Sequence, residues 1–374
     1  MKENSKKVLP YLPESLPVKD LDAARLIGLV GKANAALARY DGLLQGIVNP
    51  TILLSPLTTQ EAVLSSRIEG TQATLDEVLE LEAGSAFDES KTRDIQEIVN
   101  YREALILAGE VVAERPITLS LVRQIHRTLM KSVRGRDKKP GEFRKEQNWI
   151  GPYGCTLEEA TYVPPGPLQL TDHLEKWIAY LNTADFDPLV QTAIVHAQFE
   201  LIHPFMDGNG RIGRLLIPLL LYRKQMLSHP MFYLSAFLEA NRNEYYSRLR
   251  SVSQDRDWNG WVEFFLRAVH DQALDNTAKA KEMLRLYETM KARITEITHS
   301  RFALQVLDTL FDRPIFQTGD FISKTGIAKP TAMTLLSRLR GAGVLKPIRE
   351  SAGSRPAILA FHELLEIAEG RKIV

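Results

Sequence analysis

Apolar residues recur at helical spacing through most of the chain. Residues 22–40 (DAARLIGLVGKANAALARY) follow a 3.6-residue period, and Asp22 is suited to cap the first turn. The same period predicts helices over residues 58–69, 74–82, 92–113, 116–130, 168–182, 188–202, 242–252 and 258–284. It is lost over residues 134–167, where short β-like pieces at 148–150 and 160–163 predict a loop with a hairpin. The pattern therefore predicts a largely helical protein.

The pattern changes after residue 301. Short helices are predicted from residue 302 and over 318–324 and 331–340, followed by a glycine turn and extended pieces around 351–355. This order is typical of a winged helix-turn-helix module. Between Lys324 and Arg355 the chain carries seven basic residues and only one acidic residue, Glu350. Such a module binds DNA or serves as a protein-docking surface. The candidates for DNA contact are Lys329, Thr331, Thr334, Arg338 and Arg355.

Composition limits the class of protein. The 374 residues suffice for two or three domains, and a formal net charge of +1 gives no whole-molecule argument for binding nucleic acid or membranes. The single cysteine, Cys155, excludes an intrachain disulfide and fits a reducing compartment. The N-terminal sequence has no apolar signal region, and no apolar run approaches the roughly 20 residues of a membrane span. We expect a cytoplasmic protein without membrane association.

A glycine-rich turn lies in the segment His203 to Arg214, which reads HPFMDGNGRIGR and runs into an apolar helix. Gly208, Asn209 and Gly210 can adopt positive φ angles, which turn successive backbone N–H groups toward an anion. The N-terminus of the following helix adds its partial positive charge at the same point. The turn therefore predicts a phosphate-binding loop.

The charged residues of this segment suit a metal-bound polyphosphate. Asp207 offers a hard oxygen ligand for Mg²⁺. Arg211 and Arg214 are three residues apart, so they share a helix face and can contact phosphate oxygens. His203, with an unperturbed pKa of about 6.5, is a candidate general base. The alternative is a loop between helices with a solvated Asp–Arg pair.

The segment resembles the signature of the Fic family, HxFx(D/E)GNGRxxR, at every fixed position. Members of this family transfer AMP from ATP to a hydroxyl side chain of a protein. The resemblance implies a protein adenylyltransferase that uses ATP and Mg²⁺ and modifies a Ser, Thr or Tyr of a target, or of itself. It implies that His203 is the base, that Asp207 holds Mg²⁺, that the turn cradles phosphates, and that Arg211 and Arg214 neutralise the β/γ end.

The resemblance also implies the fold, an all-α Fic core with a small β-hairpin flap. With the C-terminal winged helix-turn-helix domain, it divides the chain into an N-terminal helical region (1–110), a Fic catalytic domain (111–285) and the winged module (286–374). The sequence does not determine the oligomeric state, and a homodimer is one alternative.

A second constellation, SSRIEG, fits the inhibitory pattern (S/T)xxxE(G/N) of the family at Ser65, Glu69 and Gly70. In relatives this helix, here about residues 58–70, packs beside the active site. Carried over, Glu69 would pair with Arg214 and occupy the arginine that should contact the γ-phosphate. A further hypothesis is that Glu69 helps to remove AMP from a modified target. The alternative is a surface Glu that ends a helix before a glycine cap.

Two further sites follow from the resemblance. The hairpin near residues 159–163 resembles the flap on which a target segment pairs as an extra strand, with Thr161 and Tyr162 as contact candidates; a plain hairpin is the alternative. Tyr245 and Tyr246 fall where relatives line the adenine and ribose pocket, and core packing is the alternative. Ser253 stands where some relatives carry an asparagine, which weakens the assignment of the nucleotide.

Competing functions remain open at this point. One is a DNA-binding transcriptional regulator with a nucleotide-sensing Fic-like core, although the intact His203 argues against an inactive core. Another keeps the fold but transfers a different phosphate-containing group, such as UMP or phosphocholine.

Overall fold

The computed structural model describes residues 9–131, 139–152, 154–351 and 356–370. The chain divides into two compact units, one of Met1–Asp41 and Asn100–Ala273, the other of Gly42–Val99 and Leu274–Val374. The described helices are α1 (Ala23–Gln45), α2 (Pro50–Leu53), α3 (Ser55–Ile68), α4 (Leu75–Glu82), α5 (Glu89–Glu114), α6 (Leu119–Leu129), α7 (Leu170–Asn182), α8 (Pro188–Ile202), α9 (Asn209–Arg223), α10 (Ser235–Ala240), α11 (Arg242–Asp255), α12 (Trp258–Thr298), α13 (Ala303–Asp312), α14 (Thr318–Thr325), α15 (Lys329–Gly341) and α16 (His362–Glu369). The described strands are β1 (Ile315–Gln317), β2 (Lys346–Arg349) and β3 (Ile358–Ala360). The predicted largely helical character is confirmed.

Helix α8 lies at the centre of the first unit. Its side chains are buried on all sides of the helix, and it packs on α7, α9 and α11. A helix buried all round is stable only when it is surrounded by protein. Asp187 caps its first turn by accepting from two backbone N–H groups. Two tryptophans bond to its backbone, Trp177 to the carbonyl of Val195 and Trp261 to that of Ala193. The helix therefore carries His203 on a rigid support.

The predicted hairpin is reduced to one antiparallel bridge between Ile150 and Tyr162. Ile150 N–H donates to Tyr162 O (2.9 Å), and Tyr162 N–H donates back to Ile150 O (3.1 Å). Thr161 N–H also donates to Ile150 O, so two residues oppose one and the ladder does not continue. We use the name flap for residues 147–166, of which residue 153 is outside the described residues.

The second unit joins helices from both ends of the chain. Helix α3 packs on α13 and α16, and α2 also packs on α13. Beside them lies an antiparallel sheet of order β1-β3-β2, in which Leu359 faces Phe316 on one side and Pro347 on the other. Strand β1 was not predicted, because its three residues are too few to show a period.

The C-terminal elements follow one another as α13, β1, α14, α15, β2 and β3. Pro330 lies in the first turn of α15, where a missing N–H is harmless. Identification of this segment as a winged helix-turn-helix domain stays a prediction. Arg355, one candidate for DNA contact, lies outside the described residues.

Helix α12 continues to Thr298, so its predicted end at residue 284 is wrong. The residues after 284 contain neither Gly nor Pro before the helix ends, and nothing local stops it. The predicted domain boundaries after residues 110 and 285 both fall inside helices, α5 and α12. The three-domain division stays a prediction. In the part of the chain that the structure describes, no helix has the length and apolar character needed to cross a bilayer.

Candidate functional site

His203 ends helix α8 in the left-handed conformation (φ 50°, ψ 61°). Its N–H donates to Phe199 O at 3.0 Å, which closes the last turn of the helix. Its ring Nδ1 lies 3.1 Å from Glu200 O. Because a carbonyl only accepts, Nδ1 carries the proton and Nε2 keeps a lone pair. The half-buried ring is thus in the tautomer that a general base requires.

Only one residue of the predicted nest has a positive φ. Gly208 adopts φ 76° as the N-cap of α9, whereas Asn209 and Gly210 are already helical, so the expectation of three positive-φ residues is wrong. One left-handed residue suffices to turn the chain into a helix. The first N–H groups of a helix have no partner within the helix, so those of Asn209, Gly210 and Arg211 point to one place. The N-terminus of α9 is therefore the candidate anion site of this loop.

The side chain of Asn209 closes the motif loop. Its Oδ1 accepts from Phe205 N at 2.8 Å and its Nδ2 donates to Phe205 O at 2.9 Å. Asn148, from the flap, donates to the same carbonyl at 3.0 Å. The amide thus shapes the loop, while its backbone N–H remains at the helix N-terminus.

His126, on α6, contacts the motif loop at Phe205 and Asp207. The sequence alone did not identify this residue. Its ring stacks on Phe205, with centroids 3.9 Å apart and planes within 7°. Gly141 N–H donates to Nδ1 (2.7 Å), which fixes the proton on Nε2, and Nε2 donates to Asp207 O (3.2 Å). Burial lowers the pKa of His126 to about 4, so the ring is neutral near neutral pH. Nothing local in the sequence marks this role.

Asp207 is the accessible carboxylate of the motif. Its side chain is 44% exposed, and Oδ1 accepts from Gly208 N at 2.5 Å and lies 3.6 Å from Arg211 Nη2. Arg211 and Arg214 are both buried. The described residues contain no group of three His, Cys, Asp or Glu side chains that could hold a metal. Mg²⁺ is commonly held by one carboxylate together with substrate phosphates, and this lone carboxylate beside a helix N-terminus fits that pattern.

The two tyrosines on α11 have different surroundings. Tyr245 is buried against Trp261 and Phe264, and its hydroxyl lies 2.9 Å from Nε2 of His196. Tyr246 is 39% exposed and is the accessible member of the pair. Burial lowers the pKa of His196 to about 3. Tyr245 therefore belongs to the core, and Tyr246 is left as the candidate for ligand contact.

The flap candidates also differ. Thr161 is exposed, and its hydroxyl donates to Ile150 O at 2.9 Å. The Tyr162 hydroxyl donates to Leu201 O at 2.5 Å, at the end of α8. The Tyr162 side chain thus ties the flap to the helix that carries His203.

In the second unit, the inhibitory pattern forms the end of α3. Ser65 is buried inside the helix, and Glu69 is its C-cap. Gly70 adopts φ 102°, and its N–H donates to Arg67 O, which satisfies one of the last helix carbonyls. The pairing of Glu69 with Arg214 stays a prediction.

The DNA-contact candidates of the second unit lie on or beside α15. Lys329, Thr331 and Thr334 are exposed on the face opposite its buried leucines. Arg338 is exposed as well, and its Nη1 donates to Thr298 O at 2.6 Å.

Comparison with known proteins gives two family matches. The model described as "Fic/DOC family N-terminal" matches residues 27–110, and "Fic/DOC family" matches residues 116–221. The protein adenylyltransferase Fic of Drosophila yakuba is 28% identical over 261 residues, which cover 68% of this chain and 47% of that protein. The Aedes aegypti protein of the same name is 30% identical over 189 residues, covering 49% and 34%. The chain thus spans about half or less of these relatives' length.

Solved structures share the fold. A Fic family protein from Desulfovibrio desulfuricans G20 matches with a TM-score of 0.57 at 20% identity, covering 94% of this chain and 98% of that one. Fic-1 of C. elegans matches with a TM-score of 0.54 at 20% identity, covering 68% and 72%. With both family models matched in order and the complete motif folded between α8 and α9, the chain belongs to the Fic/DOC family.

Proposed function

We propose that this protein is an adenylyltransferase that transfers AMP from ATP to a Ser, Thr or Tyr hydroxyl of a protein, either a partner or a second copy of the chain. The observation that carries the proposal is the motif loop, in which a histidine with a lone pair on Nε2 precedes a helix N-terminus whose N-cap residue, Gly208, makes no side-chain cap. The relatives named protein adenylyltransferase Fic support the same activity. The single cysteine is consistent with action in a reducing compartment such as the cytoplasm.

His203 acts as the general base in this mechanism. Nε2 takes the proton of the target hydroxyl while the hydroxyl oxygen attacks the α-phosphorus of ATP. The new oxygen–phosphorus bond forms as the bond to the bridging oxygen breaks, and pyrophosphate leaves. The hydrogen bond from Nδ1 to Glu200 O holds the ring in the reactive tautomer and stabilises the imidazolium that forms.

The phosphates bind at the start of α9. The N–H groups of Asn209, Gly210 and Arg211 donate to phosphate oxygens, and the helix dipole favours negative charge there. The guanidinium groups of Arg211 and Arg214 neutralise the β/γ end. Asp207 is the residue that would hold Mg²⁺, which offsets charge on the leaving pyrophosphate when bound. We assign Tyr246 to the nucleoside end and Thr161 to target docking.

Glu69 restrains this activity. We infer from the pattern at Ser65, Glu69 and Gly70 that the carboxylate competes with the γ-phosphate for Arg214, so that bound ATP is misaligned. A displacement of about 1 Å can cost on the order of 100-fold in rate. The same carboxylate can orient water for AMP removal, so release of AMP from a labelled target should be lost in Glu69→Gly if this second role exists.

The test follows label from α-labelled ATP with Mg²⁺ onto protein. We expect strong labelling by Glu69→Gly, weak labelling by wild type, and none by Glu69→Gly/His203→Ala. Glu69→Gly/His270→Ala is the matched control, because His270 lies on α12 beside Asp271 and has no assigned role. γ-labelled ATP should leave no label. Equal labelling with and without His203 would refute the mechanism.

The identity of the donor is tested in the same assay. Excess unlabelled ATP should abolish labelling by Glu69→Gly, whereas UTP or a phosphocholine donor should not. Stronger competition by either of these would replace AMP with UMP or phosphocholine as the transferred group.

A second candidate function is DNA binding by the C-terminal segment, as in a regulator with a nucleotide-sensing core. The observation that favours it is the exposed face of α15 with Lys329, Thr331 and Thr334, in a stretch without Asp or Glu from residue 321 to 349. Full-length protein should then bind duplex DNA with an affinity that falls steeply with salt, and Lys329→Glu should weaken it. Binding that is insensitive to both changes would exclude this surface.

A further inference from the structure

We propose that Arg144 is a positioning residue that couples the flap to the catalytic histidine. It lies in the loop after α6, far in sequence from the motif, and it is 4% exposed. The inference rests on the proposed AMP transfer, because it concerns how the base and the docked target hydroxyl are held together. No motif described above includes this arginine.

The guanidinium group of Arg144 binds only carbonyl oxygens among the described residues. Its Nε donates to His203 O (2.9 Å), and its Nη2 donates to Pro165 O (2.6 Å) and, at longer range, to Ile202 O (3.3 Å). Its Nη1 donates to Glu146 O at 3.3 Å. A planar group with five donors is the side chain best suited to hold several carbonyls in fixed directions.

These contacts cap the end of α8. The last carbonyls of a helix have no partner within it, and a cation placed there also interacts favourably with the helix dipole. Arg144 satisfies Ile202 O and His203 O with its side chain, and its own N–H donates to Pro204 O at 2.9 Å. Residues on both sides of the left-handed His203 are thereby fixed. The backbone that aims the imidazole is set by this arginine.

The contact with Pro165 connects the same group to the end of the flap. Pro165 lies three residues after Tyr162, which pairs with Ile150 and donates a hydrogen bond to Leu201 O. Motion of the flap is thus transmitted to the residues around His203. Burial lowers the pKa of Arg144 to about 10, so the charge is retained at neutral pH. Arg144 therefore holds both the flap, on which the target hydroxyl docks, and the backbone of His203, the base that receives the proton of this hydroxyl.

The phosphate site is held by other contacts. Asn209 closes the loop through Phe205, and His126 holds the carbonyl of Asp207. Neither residue bonds to Arg144. A positioning role therefore predicts that loss of Arg144 lowers turnover and leaves the affinity for ATP unchanged.

The kinetic test uses Glu69→Gly as the parent. In Arg144→Met, kcat for AMP transfer should fall by roughly 10- to 100-fold while the Kd for ATP, measured by direct binding, is unchanged. Arg144→Lys should be intermediate, because an ammonium group reaches fewer of the carbonyls. Arg223→Met is the matched control, since Arg223 also donates to a backbone carbonyl, that of Val112, but contacts neither His203 nor the flap. Its kcat should equal that of the parent.

A second measurement does not depend on catalysis. Amide hydrogen exchange in Arg144→Met should rise together in residues 199–208 and in flap segments 147–151 and 160–166, and should stay unchanged in these segments in Arg223→Met. Exchange that rises in only one of these segments, or in neither, would overturn the coupling. Parent-like kcat in Arg144→Met would overturn it too. A parent that labels no protein would instead refute the proposed function, and exchange would still decide the role of Arg144.

Discussion

The neutral, buried His196 makes the first unit sensitive to acid. His196 belongs to α8, and its ring packs against Tyr245 and Trp261. Burial lowers the pKa of this ring from 6.5 to about 3. In the unfolded chain the same ring gains a proton as the pH falls through 6.5, while the folded protein excludes it until about 3. The stabilising contribution is therefore complete above pH 6.5 and is lost as the pH falls from 6.5 towards 3.

The size of the effect follows from this pKa difference. A pH of 5.0 is about 1.5 units below the pKa of this histidine in the unfolded chain, whereas the ring in the folded protein is still neutral at that pH. At 1.36 kcal/mol per unit, the free energy of unfolding should be about 2 kcal/mol smaller at pH 5.0 than at pH 7.5 from this histidine alone. His126, whose pKa is lowered to about 4, should add a change of similar size and the same sign.

Urea unfolding followed by tryptophan fluorescence measures this change. All four tryptophans belong to the first unit, so the signal follows the unit that contains His196. His196→Gln should be less stable at pH 7.5, but its free energy of unfolding should fall by about 2 kcal/mol less than that of wild type between pH 7.5 and 5.0. His126→Gln should flatten the profile by a similar amount. Equal pH dependence in wild type and His196→Gln would refute the reasoning.

Substitutions at three positions test other parts of the first unit. Gly208→Ala should cost about 1–3 kcal/mol in urea unfolding, because a side chain there is strained at φ 76° and its Cβ would lie 3.2 Å from Met130 Sδ; an unchanged midpoint would contradict the left-handed turn. Asp187→Ala should cost about 1 kcal/mol through loss of the α8 cap, and Asp187→Asn should restore most of it. Glu14→Gln should change stability by less than about 1 kcal/mol, because it loses only the ion pair with the exposed Arg256. Glu14→Ala also leaves Trp258 Nε1 unpaired and should cost about 1–3 kcal/mol. Equal effects of the two Glu14 variants would contradict this distinction.

Helix positions were largely predictable because they depend on neighbouring residues. The helix predicted over residues 188–202 coincides with α8, and the helix predicted over residues 116–130 contains α6, which Thr118 caps. A period and a cap are both local signals. The extension of α12 to Thr298 and the short strand β1 were missed. In both, the local sequence permits more than one outcome, and packing decides.

The family and the order of the site residues were readable from the chain alone. His203 and the residues of the phosphate loop lie within twelve consecutive positions, so their chemistry is visible as a motif. The conformation of the loop was not. Three positive-φ residues were expected at the turn, but Gly208 alone provides the reversal, because the N-terminus of a helix already presents its N–H groups.

Only the tertiary structure revealed the residues that hold the site. Arg144 bonds to a carbonyl 59 residues away, and His126 to one 81 residues away. Both hydrogen bonds are accepted by backbone oxygens, which every residue possesses. The sequence therefore contains no pair of residue types from which these bonds could be predicted. Amino-acid types and local spacing determined the helices and the reactive groups of this protein. The direction in which those groups point was decided by buried hydrogen bonds between distant segments, whose partners are fixed only when the core is packed.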